Sequence, residues 1–183
     1  MKKGIIGGIV GGIIIFLWQF LSWTALDLHR AAQQYTPKQD SILSYLNSQF
    51  SEDGSYFLPN CPPGTSHEEM EKTMKAGEGK PWAQVSYHKS MDISMTPSII
   101  RALVVDILIG WLLCWILLQI QPLTLGKVFT VTLVAGIIVF LNAPYTMHIW
   151  YKTADVKAHL IDAVASWGLC GIWLGVWLRK REA

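Results

Sequence analysis

The chain has 183 residues, of which 51% are hydrophobic and 15% charged, with a formal net charge of +2 and a mean hydropathy of +0.32. Ordinary chains carry about 25% charged residues, and the shortfall excludes a disordered or acidic scaffold. The bases are scattered rather than massed in a stripe, which excludes a nucleic-acid surface.

Four segments are apolar over the roughly 20 residues that cross a bilayer, and lipid obliges such runs to be helical because it offers the backbone no hydrogen-bond partners. The first is Gly4 to Leu26, without a charge inside it. Lys2 and Lys3 resemble the start of a cleaved leader. The apolar run is too long for one, however, and no small-x-small cleavage site follows, so it reads as a retained anchor. Gly4, Gly8 and Gly12 recur every fourth residue, as do Gly7 and Gly11. This spacing lets helix backbones approach closely, either within the chain or against a second protein.

Residues 27–97 read as a small α/β extracytoplasmic insert. Thr36-Pro37-Lys38-Gln39 matches a capping box with Pro at the first helical position. Ile42, Leu43, Leu46 and Phe50 continue it at helical spacing, and Asp53-Gly54 closes it. Tyr56-Phe57-Leu58 is a short strand stopped by Pro59. Thr65 and Ser66, with Glu68 and Glu69, open a second helix that Gly77 ends. Trp82 to Tyr87 alternates as a strand. The sequence thus divides into a first transmembrane helix (1–26), this insert (27–97) and a three-helix transmembrane region (98–183).

Two Met/His triplets lie outside the spans. His67, Met70 and Met74 fall on one face of the expected second insert helix, and His88, Met91 and Met95 repeat the spacing. Thioether and imidazole suit Cu(I), so copper handling is one reading. Gap-filling by methionine in a small core is the other.

The second span is Ile99 to Ile120, carrying Arg101 and Asp106. The third is Val128 to Met147, and the fourth is Ala158 to Leu178, carrying Asp162. Asp106-x4-Trp111-x-Leu113-Cys114 reappears 56 residues on as Asp162-x4-Trp167-x-Leu169-Cys170. Gly12-Ile-Ile-Ile-Phe16-Leu17 likewise matches Gly136-Ile-Ile-Val-Phe140-Leu141. These pairs suggest a two-helix hairpin duplicated in parallel, with the insert placed in the first copy. Chance similarity between apolar runs is the competing account. Asp106, Gly110 and Cys114 share a face, as do Asp162, Ser166 and Cys170. An intramembrane acid is tolerated only facing protein or water, so both stripes are expected to point inward. Arg101 is placed to pair with Asp162. Asn142, Tyr145, His148 and His159 lie at similar depth, so that these groups form an outer polar chamber under the insert. The chamber is either a ligand or ion site, or a hydrogen-bonded network that sets helix registry. Gly171 and Gly175 add a further close-packing pair. Trp23, Trp150 and Trp177 suit an interfacial belt. Trp18, Trp111, Trp115, Trp167 and Trp173 lie deeper and suit packing.

Cys61, Cys114 and Cys170 contain no CxxC pair, so no disulfide framework or zinc site is readable. Nucleophile-elbow, metalloprotease, phosphate-loop and dinucleotide motifs are absent, and the chain is expected not to be an enzyme. Lys2, Lys3, Lys127, Arg179, Lys180 and Arg181 fall on one side of the spans, against Lys152 and Lys157 in the short loop opposite. The positive-inside rule then puts both termini in the cytoplasm and residues 27–97 outside.

Phe16-x-Trp18, Ser22-Trp23 and His29, followed by Gly54-Ser-Tyr56-Phe-Leu58-Pro59 and by Asp162 with Trp167 in the last span, resemble a family of small bacterial inner-membrane proteins of unassigned function. Leu28 stands where that family often has proline before the histidine. The resemblance implies four spans, a bacterial inner-membrane location and an extracytoplasmic insert, and it supplies no activity. The combined expectation is an all-α membrane bundle of four transmembrane helices, serving as a non-catalytic accessory or interaction protein. Its partners are the lipid bilayer and either another protein or further copies of itself. A ligand- or ion-binding protein built on the polar chamber, with copper on the Met/His residues as one version, is the alternative.

Overall fold

The computed structural model describes residues 2–179; Lys180 and Arg181, counted in the charge balance above, lie outside the described residues. Eleven elements follow in order, grouped by contact into a helical unit (residues 1–34 and 94–183) and an insert (residues 35–93).

The helical unit holds four helices long and apolar enough to cross a membrane. They are α1 (Lys2–Thr24), α4 (Thr96–Leu118), α5 (Leu125–Phe140) and α7 (Val156–Leu178). The third run is longer than its apolar core suggests. It continues through a π-helical segment, Leu141–Tyr145, into α6 (Thr146–Tyr151). Pro144 sits inside that segment. Its missing N–H and its ring disturb the regular ladder, and the wider π turn keeps the chain helical past it.

Helix α1 lies between α4 and α7, while α5 packs on α7 and barely meets α4. All three contacts are antiparallel and are made through glycine. A Cβ on Gly8 would stand 2.7 Å from the Cα of Trp111, and one on Gly12 would collide with Ile107. A Cβ on Gly110 would strike the Gly8 carbonyl in return. On α7, Gly171 receives Thr132 and Phe129, and Gly175 receives Leu125. Gly136 of α5 receives the side chain of Trp167, whereas Gly8 of α1 receives the backbone and Cβ of Trp111. Gly136 matches Gly12 in the internal repeat, so the two helix pairs both pack through glycine, with the repeated tryptophans met one helical turn apart in register. Ile15, Leu113, Cys114, Leu117, Val128, Cys170 and Leu174 form the core between these seams.

The insert contains α2 (Gln39–Gln49), β1 (Gly54–Leu58), α3 (His67–Gly77) and β2 (Ala83–Tyr87). The strands pair antiparallel, with Tyr56 opposite Val85. Helix α3 begins as expected. Ser66 accepts from the Glu69 N–H, and the Glu69 side chain reaches back to the Ser66 N–H. The entry to α2 differs from expectation. Thr36 Oγ1 accepts from the Lys38 N–H at 3.3 Å, which holds Pro37 in a turn, and α2 starts only at Gln39 without a side-chain cap. The helix also ends at Gln49, earlier than Asp53-Gly54. Phe50 is already extended, because its ring stacks on Tyr56 at 3.8 Å and meets Tyr87 edge-on.

Candidate functional site

The polar centre of the helical unit forms where the end of α1 meets the start of α7. After α1 the chain turns back sharply. Asp27 takes the left-handed region (φ 50°), which Asp tolerates better than most residues, and the Leu28 N–H donates to the Ser22 carbonyl at 3.0 Å. This return carries His29 inward until it is only 2% exposed. Its ring lies flat on Trp23, with centroids 3.8 Å apart.

Both nitrogens of that ring meet carboxylates. Nδ1 is 2.8 Å from Asp155 Oδ2, and Nε2 is 2.8 Å from Asp162 Oδ2. The Trp18 indole N–H donates to the other oxygen of Asp162 at 2.9 Å. His159 Nε2 stands 3.4 Å from Asp155 Oδ2, and its ring meets His29 edge-on at 4.7 Å. His159 and Asp162 are three residues apart and so share one face of α7, and Asp155 precedes His159 by four residues at the helix entry.

Asp155 lies just before α7 and is buried. Burial pushes its carboxyl up, but the His29 hydrogen bond, the charge of His159, its own backbone N–H and the charge of His29 together outweigh burial and hold it below the usual carboxylate value. A further histidine fixes the turn that leads into this segment. His148 Nδ1–H donates to the Thr153 carbonyl at 2.9 Å, beside Lys152 in the left-handed region (φ 47°).

A cavity of about 230 Å³ adjoins the cluster. Trp23, His159, Asp162 and Ser166 line it on one side, and Gly136, Phe140 and Pro144 on the other. Such a mixed lining can hold water or a small solute beside the carboxylate. His29, His159 and Asp162 also each offer a ligand atom, all within 4.8 Å of one another, and they are the one such group among the described residues.

Of the residues expected in the chamber, Asp162 and His159 belong to this cluster. Arg101 does not reach Asp162; it is exposed on α4 and makes no ion pair among the described residues. Asp162 is instead taken up by His29 and Trp18, because the α1 return delivers an imidazole to the spot. Asp106 is 6% exposed, on the α4 face that meets α1, and has no hydrogen-bond partner among the described residues. Asn142 is exposed in the π segment. Tyr145 lies between the rings of Phe140 and His148. The glycines Gly4, Gly7, Gly8, Gly11, Gly12, Gly171 and Gly175 are all buried.

Most of the Met/His triplet residues belong to the insert. His67, Met70 and Met74 project from exposed α3. No helix covers residues 88–95, so the spacing of His88, Met91 and Met95 has no helical meaning, and Met91 is 89% exposed. His88 lies against Asp53 and Ser86.

His29, Asp155 and Trp18 are the members that charge and depth along the spans did not identify. Asp155 carried a signal in its heptad spacing to Asp162. Trp18 was read among the deeper tryptophans for packing, and His29, outside the spans, carried no signal in charge, depth or spacing. No family model matches this chain, and no curated protein or solved structure is similar to it.

Proposed function

We propose that this chain is a small integral membrane protein that binds a cation or small polar solute at the His29–Asp155–Asp162–His159 cluster. One observation carries the reading. A histidine that is 2% exposed, with carboxylates on both ring nitrogens, lies beside a cavity into which His159 and Asp162 open. Ionisable groups at the edge of an apolar bundle are costly and mark functional positions by default. A registry device alone needs no adjoining cavity. The four apolar helices support insertion in a membrane. The charge balance supports cytoplasmic ends, with residues 27–97 opposite, and the family resemblance supports the bacterial inner membrane. The shared antiparallel glycine packing of α1 on α4 and of α5 on α7 supports duplication of a two-helix hairpin, with one turn of register drift between copies. The reading requires no chemical step.

A second reading rests on the opposite end of α1. There Gly4, Ile5, Trp111, Cys114, Trp115 and Leu118 line an apolar cavity of about 210 Å³, and Trp111 and Trp115 are exposed. An accessory protein would dock a partner helix on this face. Native mass spectrometry on gently extracted protein separates the two. A small bound species that disappears in Asp162→Asn, at unchanged thermal stability, supports binding at the cluster. A larger complex indifferent to Asp162 but lost in Trp115→Ala supports the accessory reading.

A further inference from the structure

The cluster has the layout of a metal site with its supporting groups in place. Two ligands of one ion stand at most about 4.2 Å apart when each bond is about 2.1 Å. His29, His159 and Asp162 offer their atoms within 4.8 Å of one another, so side-chain shifts of under about 1 Å would close them on a common centre. His159 and Asp162 are one helical turn apart on α7, and the α1 return supplies His29 from the other side.

The groups outside the three are more telling. Metal-bound histidine normally passes its second N–H to a carboxylate, which fixes the tautomer and raises the ligand's basicity. Asp155 stands 2.8 Å from Nδ1 of His29 and leaves Nε2 turned toward Asp162. Trp18 donates to Asp162 Oδ1 and so leaves Oδ2 for an ion. Trp23 stacks on His29 and sets the plane of its ring. Three protein ligands leave a position open, and the adjoining cavity gives room for water or a solute to fill it.

We propose that His29, His159 and Asp162 bind one divalent first-row transition cation, with Asp155 and Trp18 as positioning residues. This deepens the binding reading above and rests on it. Two imidazoles and a carboxylate suit Zn²⁺ and its neighbours, not Cu(I), which prefers the thioethers found elsewhere in the chain. Binding displaces any proton on His29 Nε2 to solvent, while Asp155 keeps the one on Nδ1. The charges of Asp155 and Asp162 then offset those of the ion.

The test uses the full chain, purified in detergent with chelator and titrated with Co²⁺, whose visible absorption reports its ligands, and then with Zn²⁺ in competition. One equivalent of Co²⁺ per chain is expected, displaced by Zn²⁺. His159→Ala is expected to weaken binding at least 100-fold, and Asp155→Asn or Trp18→Phe about 10- to 100-fold. A His67→Ala/His88→Ala variant, which removes exposed insert histidines, should bind as the wild type does. The proposal is overturned if wild-type protein binds no Co²⁺ at 100-fold excess, a result that depends on no variant folding. It is equally overturned if His159→Ala binds normally, or if the insert variant is the one that loses binding. If metal fails while Asp162→Asn still abolishes a bound species in the mass spectrum, the cluster remains a binding site and only the metal assignment falls.

Discussion

At the scale of single residues, the energetics turn on which buried polar groups have partners. His29 is held from two sides, and truncating one member of a buried ion pair typically costs about 3–5 kcal/mol because the others are left uncompensated. His29→Ala should therefore lower the unfolding free energy by about that amount, measured by denaturant titration in mixed micelles. Thr132 presents the opposite case. Its hydroxyl is fully buried against Gly171 with no partner among the described residues. Thr132→Val keeps the shape and removes the unsatisfied group, so it should be neutral or stabilise by up to about 1–3 kcal/mol. A loss of stability above 1 kcal/mol in the same titration would show that the hydroxyl has a use. Asp106 is buried with no partner on α4. If it has no role beyond packing, Asp106→Asn should raise the melting temperature.

At the scale of elements, the glycine seams set how closely the helices approach. A methyl on Gly110 has nowhere to go except into the backbone of α1. Gly110→Ala is expected to cost about 1–3 kcal/mol by overpacking. Gly126→Ala, with nothing within 4 Å of the added carbon, should be neutral or slightly favourable through helix propensity. If both variants melt alike, α1 and α4 do not meet as described. In the insert, Ser66→Ala removes the α3 cap and should cost about 1 kcal/mol locally. Hydrogen exchange would report it as faster exchange of the Glu69 and Met70 amides, with α2 unaffected. Much of this level was legible beforehand. The Ser66 cap, both strands and the inward Cys114 and Cys170 stripes follow from local pattern. The early end of α2 did not, because Phe50 leaves the helix to stack on Tyr56, a contact that periodicity alone does not encode.

At the scale of the whole molecule, the chain carries its own probe of orientation. Cys61 lies in the insert and is partly exposed, while Cys114 and Cys170 are buried. On the proposed topology, a membrane-impermeant maleimide applied to intact cells, with any outer membrane permeabilised, should label the protein once and fail on Cys61→Ser. Labelling only after lysis would reverse the proposed topology. Sequence by itself determined the four apolar helices, the insert between the first two and the presence of acids within those helices, because hydropathy and capping are local and additive along the chain. Tertiary structure decided which groups meet those acids. Arg101 was the plausible partner for Asp162 by depth, yet depth along a span does not say which face a neighbour presents. The left-handed turn at Asp27 brings His29, 133 residues in sequence from Asp162, to within 2.8 Å of it, and Asp155 at the entry to α7 supplies the second carboxylate. A site assembled from a helix return and a distant helix start depends on how backbones cross, and crossing is a property of packed surfaces rather than of any one segment.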